Sequence, residues 1–337
     1  MKVVEIRGAF GLDNLTVAER PQPEPGAGDV LLRMRAASIN YRDLLMIEGN
    51  YNPKQALPLI PCSDGAGEVA AVGEGVTRFA VGDRVTTLFS QRWFSGEPSR
   101  DLRRSTLGGP LDGTLSEYMV LSEEGVMPSP EHLSNEEAAT LTCAGLTAWS
   151  ALVTHGGIQE GDTVLVLGTG GVSVFALQFA RLLGARVIVT SSSDDKLERA
   201  KELGAAAGIN YLETPQWAVA VKELTAGQGV DHVVEVGGAD TLPQSVRAVR
   251  PGGQISLVGN LTGGVLDFNL IPVIMRHLRI QGVLVGHRES FAAMSRAIEE
   301  HQMRPVVDRS FPWTEARQAF EHLATGQHFG KIGLSFK

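Results

Sequence analysis

The chain has 337 residues, of which 43% are hydrophobic and 20% charged, and these values indicate a globular protein long enough for two domains. Its net charge of −8 comes without a long basic run, which argues against nucleic acid or an anionic membrane as the main partner. No apolar stretch reaches the roughly 20 residues that span a bilayer, and the N-terminus lacks the apolar core of a signal peptide. Two cysteines, Cys62 and Cys143, cannot build a disulfide framework, so we expect a reducing cytoplasm.

Residues 1–125 carry short strand-like runs separated by glycine and proline turns, a pattern typical of a barrel-like, mostly-β domain. The runs are 3–7, 14–19, 29–38, 67–73, 84–89 and 114–121. Residues 91–112 interrupt the pattern with a polar loop that contains Trp93 and Phe94. A loop of this length inside a compact domain is either a lid or a mobile segment, and the sequence leaves both open.

Strand and helix patterns alternate from Thr163 onward. They follow a helix that begins at a capping-box match, residues 134–137, and runs to about residue 153. The strand-like runs are 163–167, 186–190, 207–210, 231–236, 254–259 and 279–285. Six strands with intervening helices predict an α/β fold with a doubly wound parallel sheet.

The tail leaves this sheet. Its predicted elements are a helix at 289–300, a strand at 305–311, a helix at 314–325 and an apolar strand at 332–336. We expect a tail of this size to pack on the N-terminal domain. The predicted domains are therefore 1–144 with 286–337, and 145–285.

Residues 163–190 follow the order strand, glycine turn, helix, strand, which is the unit that binds dinucleotides. Gly168 permits the tight turn, and Gly170 lets the backbone approach a pyrophosphate at the N–H groups of the helix N-terminus. Ser173 replaces the third glycine of the fingerprint and is small enough to keep the helix close. The predicted phosphate-binding residues are Gly168, Gly170, Gly171 and Val172. The alternative is an ordinary glycine-rich loop.

The end of the second strand indicates which dinucleotide binds. An NAD-binding chain places an acidic residue there to accept hydrogen bonds from the ribose. This chain has Ser191 and Ser192, followed by Lys196 one turn later. Hydroxyls and an ammonium would hold a 2′-phosphate, whereas a carboxylate would repel it, so we predict NADP(H) over NAD(H). Asp194 and Asp195 fit the acidic first turn of the next helix.

With these residues in view, the chain resembles the medium-chain dehydrogenase/reductase superfamily over essentially its whole length. The matching segments are 65–69, 72–76, 81–85, 143–149, the glycine turn and the closing Gln-His-Phe-Gly-Lys-Ile at 327–332. Within the superfamily the chain looks like the zinc-independent, quinone-oxidoreductase-like branch. The resemblance implies a GroES-like, mostly-β catalytic domain beside a Rossmann NADP(H)-binding domain. It also implies a homodimer that pairs through an edge strand at 265–271.

The resemblance raises the question of a catalytic zinc ion. The zinc alcohol dehydrogenases of this superfamily bind the metal with a Cys, a His and a second Cys, and these positions align with Asn40, Ser63 and Cys143. Independently, residues 1–131 contain no histidine, and residues 90–115 hold no cysteine for a structural zinc lobe. Cys62 and Asp64 flank the vacated His position and leave a makeshift site as an alternative. We predict that the chain binds no metal.

Without a Lewis acid, a conjugated carbonyl is an easier hydride acceptor than a plain ketone, because its negative charge spreads over the conjugated system. The candidate catalytic residues, as donors to that oxygen, are Asn40, Tyr41, Arg42 and Ser63. Each has a structural alternative: Asn40 pins a turn, Tyr41 is a wall of the pocket, and Arg42 pairs with Asp43 or Asp64.

The resemblance also places the cofactor. It implies a 2′-phosphate clamp made of Ser192, Lys196 and Tyr211, although Tyr211 is alternatively an ordinary aromatic residue at the end of a strand. Further cofactor-binding residues implied by the family are Thr147, Val236, Val258, Gly259 and Asn260. The cleft between the domains is the expected substrate site.

These observations predict a zinc-independent, NADPH-dependent oxidoreductase that transfers hydride to a quinone or an enone. A carbonyl reductase or alcohol dehydrogenase that acts without zinc on a small ketone, aldehyde or alcohol is the alternative within the same class. An NADPH-binding sensor with little turnover is the alternative from another class. The substrate is a small molecule in each enzymatic reading.

Overall fold

The computed structural model describes residues 1–99 and 101–336 and divides the chain into two compact units. The first, here the β-rich unit, comprises Met1–Leu146 together with the tail from Gly286, and the second, here the parallel-sheet unit, is Thr147–Val285. The division falls two residues after the boundary predicted at residue 144. In the part of the chain that is described, no helix is long and apolar enough to cross a membrane.

The secondary-structure elements are numbered in chain order. The strands are β1 (Lys2–Ile6), β2 (Leu15–Glu19), β3 (Asp29–Ile39), β4 (Asp64–Val72), β5 (Arg84–Thr87), β6 (Tyr118–Ser122), β7 (Val126–Pro128), β8 (Thr163–Leu167), β9 (Arg186–Ser191), β10 (Ala207–Asn210), β11 (Val230–Glu235), β12 (Val249–Leu257), β13 (Arg279–Gly282), β14 (Val307–Pro312) and β15 (Lys331–Ser335). The α-helices are α1 (Tyr41–Ile47), α2 (Asn135–Ala139), α3 (Leu146–Trp149), α4 (Gly171–Leu182), α5 (Asp194–Glu202), α6 (Trp217–Leu224), α7 (Leu242–Ala248), α8 (Ile271–Met275), α9 (Arg288–Glu300) and α10 (Ala316–Ala324).

The β-rich unit is built on one sheet whose strand order is β14-β15-β3-β4-β5-β7, with β6 also paired to β3. The long strand β3 is antiparallel to β4, β6 and β15, so the tail of the chain is part of this sheet. Beneath it, Ile39, Ile47 and Phe320 are wholly or almost wholly buried in one apolar cluster. Burial of each such side chain contributes roughly 1.5–3 kcal/mol to folding, which fixes the tail on this unit.

The parallel-sheet unit is a doubly wound sheet with strand order β10-β9-β8-β11-β12-β13, and each of these pairings is parallel. Its inner strands are continuous apolar runs because helices cover both faces of such a sheet. Leu165, Ile188, Val233 and Ile255 are completely buried in its core. The α/β prediction is confirmed.

The predicted helix from residue 134 to about 153 is broken in the structure. Ser134 caps α2, and its hydroxyl accepts a hydrogen bond from the Glu137 N–H. Segments with π-helical geometry then occupy Leu141–Gly145 and Ser150–Thr154, on either side of α3. At the first break the Thr140 hydroxyl donates to the Glu137 carbonyl oxygen at 2.7 Å, so a side chain competes with the regular backbone ladder there.

The edge strand predicted at residues 265–271 is wrong. Residues 265–270 form no strand, and Ile271 begins α8. The cause is local, because the Asn269 side chain accepts a hydrogen bond from the Ile271 N–H and Pro272 stands in the first turn of α8. The edge of the parallel sheet on this side is β13, which pairs with β12.

Candidate functional site

Helix α1 begins at the position that aligns with the first zinc ligand of the family, within a stretch predicted to be all β. Asn40 precedes its first residue, and the Asp43 carboxylate accepts a hydrogen bond from the Asn40 N–H at 2.9 Å. An Asn followed three residues later by an Asp is a helix-start signal that can be read in the sequence, but the strand-like context concealed it. Tyr41 is the first residue of α1 and is 41% exposed.

Lys331 is a residue of the candidate site that the sequence analysis did not single out. Its ammonium donates hydrogen bonds to Ile39 O at 2.9 Å, Asn40 Oδ1 at 2.5 Å and Asp64 Oδ2 at 3.2 Å. The register of the sheet brings these groups together, because Ile332 of β15 faces Ile39 and Asp64 of β4 faces Ser38. The Lys331 side chain is only 3% exposed, which is exceptional for a lysine unless it is paired.

Ser63 belongs to the same cluster. Its hydroxyl donates to Asp64 Oδ1 at 3.0 Å, and both side chains are wholly buried. Of the four predicted catalytic residues, the structure therefore brings Asn40 and Ser63 together around the Lys331–Asp64 ion pair.

Arg42 lies in a different arrangement. Its guanidinium pairs with Asp43 at 3.1 Å and donates to the carbonyl oxygens of Leu107 and Gly109. It also stacks over the Phe89 ring, 5.0 Å from the ring centroid. These contacts correspond to the alternative of a structural ion pair, because they use most of the donors of the guanidinium on the protein itself.

Burial dominates the acid–base behaviour of the cluster. It raises the pKa of Asp43 to about 6 against the opposing effect of Arg42, and it raises the pKa of Asp64 against that of Lys331. Burial also raises the pKa of Cys143 to about 12 and that of Cys62 well above its ordinary value. Both thiols are therefore protonated at neutral pH.

This set of side chains does not fit a catalytic zinc ion, which needs three ligands of thiolate, imidazole or carboxylate type. Asn40 and Ser63 offer a neutral amide and a hydroxyl, and Cys143 is a half-buried thiol whose pKa desolvation raises to about 12. The carboxylate nearest to them, Asp64, is already paired with the Lys331 ammonium. Among residues 1–99 and 101–336, no group of three or more His, Cys, Asp or Glu side chains is arranged to hold a metal ion.

The glycine turn of the parallel-sheet unit has the geometry that phosphate binding requires. Gly168 has a φ of +71°, which a residue with a side chain rarely adopts. Gly170, the residue before helix α4, has no side chain that could accept hydrogen bonds from the N–H groups at the start of this helix. The Ser173 hydroxyl donates to Leu167 O at 2.7 Å and so ties the helix to the strand, a role beyond the small size predicted for it.

The predicted 2′-phosphate clamp lies at the ends of neighbouring strands. Ser191 ends β9, Ser192 is exposed directly after it, and Lys196 stands in the first turn of α5. Tyr211 follows β10, and its N–H donates to Ser191 O at 3.0 Å. Because β9 and β10 are parallel, these four residues all lie at the carboxyl ends of the strands.

Most of the remaining predicted cofactor residues follow the carboxyl ends of two further strands, β11 and β12. Val236 comes after β11, and the residues Val258, Gly259 and Asn260 come after β12. A side chain at Gly259 would lie 2.5 Å from Val236 O, so the two loops touch through their backbones. Thr147, also a predicted contact, is buried in α3.

Glu235, which the sequence analysis did not single out, holds the loop after β11 in place through hydrogen bonds of its carboxylate. Its buried carboxylate accepts hydrogen bonds from the N–H groups of Gly237 and Gly238, at 2.8 and 3.1 Å. It also accepts from the hydroxyls of Thr241, at 2.6 Å, and Ser245. The sequence does contain a sign of this role, because Glu235 is an acidic residue among the apolar residues at the end of a strand. A carboxylate is rarely buried at such a position unless hydrogen bonds satisfy its charge.

The loop with Trp93 and Phe94 is anchored where it begins. The N–H groups of Arg288 and Glu289 donate to Trp93 O and Phe94 O at 3.0 and 3.1 Å. The Trp93 ring also packs edge-on against His287, 5.6 Å between ring centroids. The first turn of α9 therefore holds these two residues, which argues against a hinge at this end of the loop.

The comparisons with known proteins agree with this fold. The family described as zinc-binding dehydrogenase matches residues 171–300, and the alcohol dehydrogenase GroES-like domain matches residues 26–131. A zinc-type alcohol dehydrogenase-like protein of Schizosaccharomyces pombe is 44% identical over 331 residues, which cover 96% of each chain. A quinone oxidoreductase of Pseudomonas aeruginosa is 35% identical over 343 residues, which cover 99% of each chain.

Solved structures extend the comparison. A Sinorhizobium meliloti 1021 protein assigned as an alcohol dehydrogenase is 43% identical, with a TM-score of 0.93, and the match covers 99% of this chain and 98% of that one. Mycobacterial Rv1454c, solved in complex with NADPH, is 28% identical with a TM-score of 0.83, and the match covers both chains completely. With both domain families matched and relatives similar from end to end, the chain belongs to the medium-chain dehydrogenase/reductase superfamily of oxidoreductases.

Proposed function

We propose that the chain is a zinc-independent, NADPH-dependent reductase of conjugated carbonyl compounds such as quinones and enones. The observation that carries the proposal is the set of groups at the vacated metal-ligand positions: an amide, a hydroxyl and a protonated thiol, beside a carboxylate paired with Lys331. Without a metal ion to polarise it, a plain ketone is a poor hydride acceptor. In a conjugated acceptor the charge is delocalised, and hydrogen-bond donors of the protein suffice.

The residues would act by binding and orientation. When bound, NADPH supplies the hydride, which adds to the conjugated system while a proton is taken up from water. Asn40 lies in the β-rich unit with its amide held by Lys331, and it is the donor assigned to the acceptor oxygen. The protein supplies no metal-bound water and needs no ionised thiol.

The choice of NADPH rests on charge. At the end of β9 the chain has Ser191 and Ser192 with Lys196 nearby, and no carboxylate at the position that receives ribose in NAD-binding chains. The nearest acidic residue, Asp194, accepts a hydrogen bond from the Asn210 side chain at 2.9 Å, which supports a structural role for it. The mycobacterial relative in complex with NADPH is consistent with this choice.

We further propose that two copies of the chain pair at the open edge of β13. All four residues of this strand are exposed, and the neighbouring helix α8 exposes Ile271, Ile274 and Met275. An open strand edge beside exposed apolar side chains is suited to a self-complementary interface.

The decisive experiment offers three acceptors to chelator-treated protein with NADPH or NADH: a quinone, an enone and the corresponding saturated ketone. We expect reduction of the first two with NADPH, at least tenfold weaker use of NADH, and little turnover of the ketone. Preferential turnover of the saturated ketone would instead favour the carbonyl reductase alternative. Stoichiometric zinc in the untreated protein, with activity lost on its removal, would refute the zinc-independent mechanism.

A further inference from the structure

The Lys331 ammonium is saturated by three oxygen atoms of the protein. Its acceptors are Ile39 O, Asn40 Oδ1 and Asp64 Oδ2. An ammonium has three N–H groups and accepts no hydrogen bond, so the amide oxygen of Asn40, and not its nitrogen, must face Lys331. Lys331 therefore determines which way round the Asn40 carboxamide lies.

The nitrogen end of the same carboxamide makes no hydrogen bond of normal geometry within the described part of the chain. Asn40 Nδ2 is shielded from solvent and makes no hydrogen bond to the residues that the structure describes. The Asn40 side chain acts on Asp64 as a hydrogen-bond donor that lowers the pKa of that carboxyl, but no contact between Nδ2 and the carboxylate has normal hydrogen-bond geometry. A buried donor without a hydrogen bond destabilises the protein by about 1–3 kcal/mol. A bound molecule whose oxygen accepts a hydrogen bond from this donor would remove that cost.

The other candidate donors of the cluster are already engaged. The Ser63 hydroxyl donates its proton to Asp64, and the Arg42 guanidinium donates to Asp43 and to two backbone carbonyls. Asn40 thus offers an N–H that is not held in a normal hydrogen bond, on a residue that is half-buried as a whole.

Lys331 also neutralises the carboxylate beside that donor. Asp64 is wholly buried and 3.2 Å from the ammonium. Without Lys331, an unpaired carboxylate would repel the negative charge that develops on the oxygen of a reduced carbonyl. Both effects of Lys331, orientation and charge, converge on the Asn40 amide.

We propose that Lys331 is a positioning residue that acts through Asn40. It holds Asn40 Oδ1 so that Nδ2 donates to the carbonyl oxygen of the acceptor while negative charge develops there. The proposal rests on the proposed function for the kind of acceptor. The dependence of Lys331 on Asn40, however, can be measured with whichever carbonyl compound the enzyme reduces.

The test is a double-mutant cycle of Asn40→Ala and Lys331→Met, measured as kcat and KM for the acceptor and as NADPH affinity. We expect each single variant to lower kcat/KM by about 10²-fold, as removal of one oxyanion donor does, with NADPH affinity unchanged. In the Asn40→Ala background, Lys331→Met should cost less than about threefold more, because its target is already absent. Lys201→Met, at an exposed lysine paired with Glu198, is the matched control and should leave activity unchanged.

Removal of one partner of a buried ion pair can unfold a protein, so Asp64→Asn/Lys331→Met provides a variant without either charge. Its unfolding transition should approach that of the wild type, while its kcat/KM stays low. Equal losses from Lys331→Met with and without Asn40 would overturn the proposal, as would full activity of Asn40→Ala. Turnover of the saturated ketone alone would refute the proposed acceptor class, and the cycle run with that ketone would still decide the role of Lys331.

Discussion

Asp43 shows at the scale of one residue how burial and pairing oppose each other. It is wholly buried, pairs with Arg42 and accepts the Asn40 N–H, yet burial raises its pKa to about 6. The folded protein therefore retains a proton that the unfolded chain releases near pH 4. The contribution of Asp43 to stability is fully present below about pH 4 and is lost as the pH rises through about 6.

Asp43→Asn should remove this pH dependence, because the amide keeps an acceptor for the Asn40 N–H and does not ionise. We expect the free energy of unfolding of the wild type to fall relative to that of the variant as the pH rises from about 4 to about 6, and the difference to level off above that. Urea denaturation at a series of pH values measures the difference, with Asp267→Asn at an exposed site as control. A difference that stays constant with pH would contradict the assigned cause.

The sequence does not reveal a residue whose hydrogen-bond partners lie far away along the chain. Lys331 stands at the start of an apolar strand and reads locally as an ordinary surface lysine. Its partners Asp64 and Asn40 are 267 and 291 positions away, and only the pairing of β15 with β3 and of β3 with β4 brings them together. The Asn40 and Ser63 positions were found because the family motif marks them, but their hydrogen bonds were not predictable.

At the scale of elements, hydrogen bonds of Glu235 and of its neighbours join the loops that follow β11 and β12. Its carboxylate bonds the loop after β11, and the Thr262 N–H of the loop after β12 donates to Gly237 O at 2.8 Å. The Val258 N–H also donates to Glu235 O at 2.8 Å. The shape of both loops therefore depends on one buried side chain.

Glu235→Ala should release the N–H groups of Gly237 and Gly238 without replacement. We expect the free energy of unfolding to fall by about 3 kcal/mol and NADPH affinity to weaken at least tenfold, because buried donors lose a charged acceptor. Thermal unfolding and NADPH fluorescence titration measure the two effects, and Glu223→Ala, at an exposed position of α6, serves as the control. Undiminished NADPH affinity in a destabilised variant would show that these loops do not form part of the cofactor site.

Strands and helices were predictable to the degree that they follow local patterns. The inner strands of the parallel sheet are continuous apolar runs, and β8, β9 and β10 occupy almost the predicted residues. Helix α1 was missed because it is seven residues long and lies among strands, where its start signal at Asn40 and Asp43 has no apolar period to support it. The strand at residues 265–271 failed for a different reason, because it was placed by resemblance to the family and not by a local pattern.

At the scale of the whole molecule, the β-rich unit is assembled from both ends of the described chain. The tail adds β15 next to β3 and brings Lys331 to Asn40, with the parallel-sheet unit inserted between. Such pairing over nearly 300 residues is a non-local contact that slows folding relative to local structure. The candidate catalytic cluster therefore exists only once the tail has joined the β-rich unit.

The exposed surface around β13 carries the last prediction, that the chain is a homodimer. In the neighbouring helix α8, Ile274 is 64% and Met275 is 73% exposed, and apolar side chains this open cost free energy in water unless another surface covers them. An edge strand can also pair with its own copy about a two-fold axis and satisfy its backbone groups. Ile280, at the centre of this edge, is therefore the residue at which a charge should be least tolerated.

Sedimentation velocity of the wild type should show a dimer, and Ile280→Lys, which places an ammonium at the open edge, should shift it to the monomer. Val81→Lys introduces the same charge at an exposed apolar residue of the β-rich unit and should leave the dimer intact, since that surface is not the proposed interface. A monomeric wild type, or an Ile280→Lys variant that remains a dimer, would exclude pairing at this edge. Because β13 contributes none of the candidate catalytic or cofactor-binding residues, a folded Ile280→Lys monomer should retain its hydride-transfer activity if each subunit works independently.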